Sequence, residues 1–170
     1  MLIENFRNTL DIWIKELNNY DFTSLQTKPS TASWSLGQLY IHLIEETNYY
    51  IKQINICLTS NKNKVNQSTT EAKTMFSNNC FPDERIEGAP QHRFIQQPAD
   101  KEQLARDLVH LKDVIDTIEL LMSKSIFKGK TKHPGLGYFN ASEWLQFAEM
   151  HLRHHLRQKK RIDDFLKINR

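Results

Sequence analysis

Cysteine is scarce in this sequence: two in 170 residues, Cys57 and Cys80, with no CxxC pair. That excludes a disulfide-stapled scaffold and the cysteine-rich zinc motifs. Two ordinary reduced thiols are expected, with a Cys57–Cys80 bridge or Cys80 as a metal ligand as the alternatives. No apolar run reaches the roughly 20 residues a membrane helix needs, and the opening MLIENFRNTL is not a basic-then-apolar leader. A cytoplasmic protein with no membrane contact is expected. Charge of one sign is not in excess either: 23 basic residues are interleaved with 20 acidic ones, for a net +3 and a pI near 8.8. Nucleic acid is therefore not indicated as a partner. No internal repeat, heptad run or strand pattern longer than a few residues appears.

What is present is helical periodicity. With 39% hydrophobic residues, a chain of 170 can bury a real core without staples, so residues 1–170 are read as a single all-α domain. Ile3, Phe6, Leu10, Trp13, Ile14 and Leu17 lie on one face of a first helix, Leu2 to Asn18. Tyr20 to Ser33, rich in Ser and Thr and holding Pro29, reads as a connection. Ser35 and Gln38 have the form of a capping box opening a second helix to about Ser60, with Leu36, Leu39, Leu43, Thr47, Tyr50, Ile54 and Leu58 as its stripe. Asn61 to Pro98 is polar and broken by Pro82, Gly88, Pro90 and Pro98. A connection of that length is commonly a lid or part of a site, which Phe76, Phe81, Phe94 and Ile95 would anchor over the bundle. Asp100 and Gln103 open a third helix whose Leu104, Leu108, Leu111, Ile115, Ile118 and Met122 run to about Lys124, with His110 off the stripe and solvated. Phe127 to Phe139, FKGKTKHPGLGYF, cannot be helical and delivers His133 toward the entrance of the last helix. Four helices in a bundle are the economical packing.

The last helix carries the chemistry. Asn140 and Glu143 form a second capping box, and no Pro or Gly follows, so the helix runs about seven turns through Phe165. Trp144, Ala148, His151, His155, Ile162 and Phe165 share one stripe, so two imidazoles stand where aliphatic residues belong. A buried imidazole left unpaired costs roughly 1–3 kcal/mol, so something must hold these two. Four residues apart, they face the same way one turn from each other, as two ligands of one metal would; such pairs also occur by chance on surface helices. On the second helix His42 lies beside the apolar stripe, on a flank shared with Glu46, Tyr49 and Gln53. It is either a boundary histidine bonded to Glu46 or water, or a third ligand.

Taken together, Trp34-Ser35 ahead of His42, and the segment HPGLGYFNASEWLQFAEMHLRHHLRQ, resemble the DinB superfamily of four-helix metalloproteins. The closest likeness is to a DinB-related family of unknown function with an HPxxG loop, a helix Trp and then HxxHHxxQ. Here these are His133, Pro134, Gly137, Trp144, His151, His154, His155 and Gln158. The resemblance implies an up-down-down-up bundle with a long irregular connection between its second and third helices. It also implies a divalent metal, zinc or nickel, on His42, His151 and His155, and pairing of the bundle into homodimers. Its known activities are transfer of a small-thiol sulfur and metal-dependent hydrolysis, both on small-molecule substrates and the first with a low-molecular-weight thiol as cofactor. A non-catalytic, stress-related binder of metal or small ligand is the alternative.

Three neutral imidazoles and an open fourth position are the arrangement that activates a water or thiol at Zn²⁺. Around them, Gln158 continues the His151–His155 line and either orients a ligand or bonds between helices. His154, about 100° away, is an interhelical polar residue or an outer support, and His133 is a further outer candidate. Glu46, one turn from His42, is a candidate general base or a plain surface carboxylate. Arg153, Arg157 and Lys160 form a basic strip read as a solvated face.

Overall fold

The structure, a computed structural model, describes residues 2–82 and 95–167. Six helices carry most of these: α1 (Leu2–Leu17), α2 (Phe22–Gln26), α3 (Leu36–Thr59), α4 (Thr70–Asn78), α5 (Lys101–Lys124) and α6 (Ala141–Leu166). A two-stranded hairpin, β1 (Thr131–His133) and β2 (Gly137–Phe139), precedes α6. The long helices begin where their caps dictate. Ser35 and Asn140 each accept from the backbone N–H three residues on, and Gln38 and Glu143 bond back to the cap N–H, so both capping boxes are closed. Asp100 accepts from the Gln103 N–H at the start of α5.

α1, α3, α5 and α6 form the bundle, and its topology can be read from which residues meet. Thr9 bonds Glu149, Trp13 the Leu152 carbonyl, and Tyr20 Asp163, so residue numbers rise together and α1 runs parallel to α6. Arg7 bonds Asp116 and Glu119 while Lys112 bonds Asp11, so α1 and α5 are antiparallel. His42 meets His151 and Tyr50 stacks on Trp144, so α3 opposes α6. Gln38 bonds the carbonyl of Ile95, just ahead of α5, and Ser125 just past its end bonds that of Leu58, so α3 and α5 are parallel. The order is up-down-down-up, and helices consecutive in the chain sit diagonally or side by side in parallel.

That topology explains the long connection. α3 and α5 are parallel and 24 residues each, so the chain must climb back about 36 Å between them, a distance no short loop covers. The return is not wholly irregular, which corrects the expectation for residues 61–98. Thr69 caps α4 by accepting from the Ala72 N–H, and α4 lays Ala72, Met75 and the half-buried Phe76 on the core. Phe81 is buried and Ile95 half-buried, whereas Phe94 lies outside the described residues. One further expectation is corrected. The Tyr20–Ser33 connection contains α2, capped by Asp21 and anchored by fully buried Leu25. The glycine-rich 127–139 stretch closes as a hairpin in which Gly137, at φ +83°, pairs with Ser68; a Cβ there would lie 2.7 Å from the Gln67 carbonyl oxygen.

The core is built from the expected stripes, with Phe6, Leu10, Trp13, Leu36, Leu39, Leu43, Leu108, Leu111, Ile115 and Trp144 essentially inaccessible. Phe165 is the exception, 48% exposed on the last turn of α6, where Leu166, four residues after buried Ile162, packs against the core instead. Both cysteines are free: Cys57 is buried, with desolvation raising its pKa, and Cys80 is exposed. No helix among the described residues is long and apolar enough to cross a membrane.

Candidate metal centre

α3 and α6 cross antiparallel at mid-bundle, and this crossing brings residues 109 positions apart together. His42 Nε2 lies 3.2 Å from His151 Nε2, and His151 Nε2 lies 3.1 Å from His155 Nε2. One ring nitrogen from each lies within 4.8 Å of the others, a set that could hold a metal ion. His42 is buried at 4% exposure and the other two are half-buried, so the cluster has an inner and an outer side.

The chemistry of the donor set fits a cation. Ligands about 2.1 Å from one ion in tetrahedral geometry stand roughly 3.4 Å apart, close to the spacings found here. Three atoms of the same kind aimed at one point are a poor hydrogen-bonding arrangement, since each neutral imidazole carries only one N–H. Gln158 adds direction: its Oε1 lies 2.9 Å from His155 Nδ1. A carboxamide oxygen only accepts, so this bond puts the proton on Nδ1 and leaves the Nε2 lone pair facing the cluster.

The other expected residues fall in different places. Glu46 accepts from the Tyr50 hydroxyl at 2.8 Å, on the same row of α3 as His42. Tyr50 is buried, its pKa raised well above normal chiefly by desolvation and then by Glu46, so its hydroxyl keeps the proton it donates. Its ring lies edge-on to His151 at 5.6 Å. His154 does not join the converging nitrogens; its ring packs edge-on between Phe81, 5.4 Å away, and His155, 5.5 Å away. His133 is farther along the same aromatic layer, stacked on Phe139 at 5.2 Å and 4.9 Å from Phe147. Its Nδ1 is buried without a hydrogen-bond partner among the described residues, and burial pushes its pKa down to about 4. His110 is exposed on α5. Arg153 leaves the solvated strip to bond the buried Glu149 through Nε and Nη2, while Arg157 and Lys160 stay exposed.

Trp34 and Phe81, named from the sequence as the residue ahead of the α3 cap and as an anchor of the long connection, both lie by the cluster: the Trp34 ring is 4.9 Å from that of His42, and Phe81 is edge-on to His151 at 6.4 Å. Sequence reasoning missed the Glu149–Arg153 pair. Glu149 with Arg153 at i+4 was the available signal.

The family model of the DinB superfamily matches residues 5–158. The chain belongs to that superfamily. Among solved structures, this DinB chain is similar to YfiT from Bacillus subtilis, at TM-score 0.63 and 14% identity over 99% of this chain and 87% of that one. YfiT is described as a probable metal-dependent hydrolase with an unusual four-helix bundle topology. At that identity the likeness concerns the fold. None of the curated proteins matches the sequence.

Proposed function

We propose that this DinB protein binds one divalent metal ion on His42, His151 and His155 and uses it to activate a small-molecule nucleophile. The observation that carries the proposal is the convergence of three Nε2 atoms with spacings of 3.1 and 3.2 Å. When bound, the ion would supply Lewis acidity at a coordination position beyond the three imidazoles, for which no fourth ligand converges among the described residues, making water or a thiol available as a nucleophile at neutral pH. With water the protein is a hydrolase, the activity named for YfiT; with a low-molecular-weight thiol it is an S-transferase. Zinc and nickel both suit three imidazoles.

The chain's own residues set up that chemistry. Gln158 holds His155 in the tautomer with Nε2 bare. Glu46 stands at i+4 from His42, accepts from the Tyr50 hydroxyl, and is the carboxylate of this reading that takes a proton from the nucleophile. The bundle buries its aliphatic stripes without these histidines, so a site unnecessary for folding serves function instead.

Elemental analysis of the purified protein should find about one divalent metal per chain. His42→Ala, His151→Ala and His155→Ala should each lose it, and His110→Ala should keep it. Metal-loaded protein should then be tried on ester and amide substrates, and on thiols with an electrophile. Turnover no greater than that of His151→Ala throughout would reduce the protein to a non-catalytic metal binder; no metal in the wild type after incubation with Zn²⁺ or Ni²⁺ would refute the site.

A further inference from the structure

The stretch just after α4 is held against the histidine helix by polar bonds that burial alone does not call for. α4 ends at Asn79, in the left-handed conformation at φ +50°. Gln146 of α6 donates to the Phe76 carbonyl at 2.9 Å and to Asn79 Oδ1 at 3.1 Å, and Arg153 donates to the Asn79 carbonyl at 2.8 Å. Arg153 is itself fixed by two bonds to the buried Glu149, which also accepts from Thr9 of α1 at 2.9 Å. Gln146, Glu149 and Arg153 are interleaved with His151 and His155 on one rigid helix. Whatever they hold is therefore held in register with the metal ligands.

What they hold is Phe81, two residues on. Its ring meets Phe147 at 5.0 Å, His154 at 5.4 Å and His151 at 6.4 Å, each edge-on. Trp34 lies against His42 and Tyr50 against His151, so aromatic rings flank the cluster from α4's end, from the residue before the α3 cap, and from α3 itself. Aromatic faces and edges favour another aromatic or apolar group over a hydrated one.

We propose that the protein selects substrates bearing an aromatic or bulky apolar group next to the atom that meets the metal, with Phe81 the specificity-determining residue and Arg153 a positioning residue acting through it. This rests on the metal-centre reading above. A polar, strongly hydrated substrate would gain nothing from a wall of rings this firmly braced.

The test uses the full-length protein loaded with Co²⁺ and titrated with azide, 2-mercaptoethanol and benzyl mercaptan, followed by the cobalt absorption bands. Azide reports an open coordination position whatever the wall does. Benzyl mercaptan should bind about tenfold more tightly than 2-mercaptoethanol, the size of one aromatic contact. Phe81→Ala should bring that ratio to about one with azide affinity unchanged, and Phe81→Leu should retain part of it. Arg153→Ala should lower the ratio in the wild type and have no further effect in the Phe81→Ala background, since both act on one ring. Equal affinity for the two thiols in the wild type, or a ratio insensitive to Phe81→Ala, would overturn the proposal while leaving the metal site standing. Failure to bind Co²⁺, or to bind azide once loaded, would overturn both.

Discussion

α6 carries two polar clusters only two turns apart, and they are built on opposite principles. At its C-terminal half Lys159, 2% exposed, lies 2.9 Å from both Glu16 and Asp163; Asp163 also accepts from the Tyr20 hydroxyl at 2.7 Å, and the ammonium sits 5.4 Å from the Tyr20 ring centre. Donors meet acceptors and opposite charges meet, so this cluster is complete as it stands. At His42, His151 and His155 three identical nitrogens meet instead. The first arrangement ties α1 to α6; the second suits a cation from solution. Burial and polarity are shared by both clusters, and only the complementarity of the partners tells a structural network from a binding site.

The contrast is broken most severely at Lys159. Lys159→Ala takes the cation from the buried Asp163 and the half-buried Glu16 and should destabilise the protein by about 3–5 kcal/mol, read as a lower urea midpoint. His151→Ala, by contrast, should leave the metal-free protein close to the metal-free wild type in midpoint and helical circular dichroism. Equal losses from the two substitutions would erase the distinction. Adding metal sharpens it: at a free concentration about 100 times the dissociation constant, the wild type should gain about 2.7 kcal/mol. Chelator should reverse this, and His151→Ala should show no gain.

A smaller effect is expected at Gln158, which touches the cluster only through His155 Nδ1. Gln158→Ala should weaken metal affinity by roughly 10–100-fold with the fold intact, measured by competition with a chromophoric chelator. A response to pH is expected at His133. Burial holds its folded pKa at about 4, below the ordinary histidine value of 6.5. As pH falls below 6.5 the unfolded chain takes up a proton that the folded chain refuses until about pH 4, so stability present at neutral pH declines across that window. His133→Phe should make unfolding free energy less pH-dependent between pH 6.5 and 4 than in wild type. An unchanged slope would show that the imidazole is more solvated than its packing on Phe139 implies.

Most of the helical framework was legible because its signals are local. Ser35–Gln38, Asn140–Glu143 and Asp100–Gln103 act over three residues, and the stripes of α1, α3, α5 and α6 repeat within four. α2 and α4 were not legible. Five and nine residues long, they have too few turns to show a period, and their single cap residues, Asp21 and Thr69, look like any polar residue in a loop. Three-residue strands set by Gly137 and its bridge to Ser68 leave equally little trace. The buried Glu149 and Lys159 read as surface charges because their partners, Thr9, Glu16 and Tyr20, lie some 140 residues away.

The sequence by itself determined where the long helices start, which faces they bury, and that His151 and His155 point the same way, since helix geometry fixes relations within a turn or two. Only the tertiary structure decided that α3 crosses α6 with His42 opposite that pair, that α1 runs parallel to α6, and that Phe81 is braced beside them. Those relations depend on which stripes meet across the core and on a chain return of some 40 residues. Hydrophobic burial is non-directional, so local periodicity says that a face will be covered and leaves its partner to the packing of the whole.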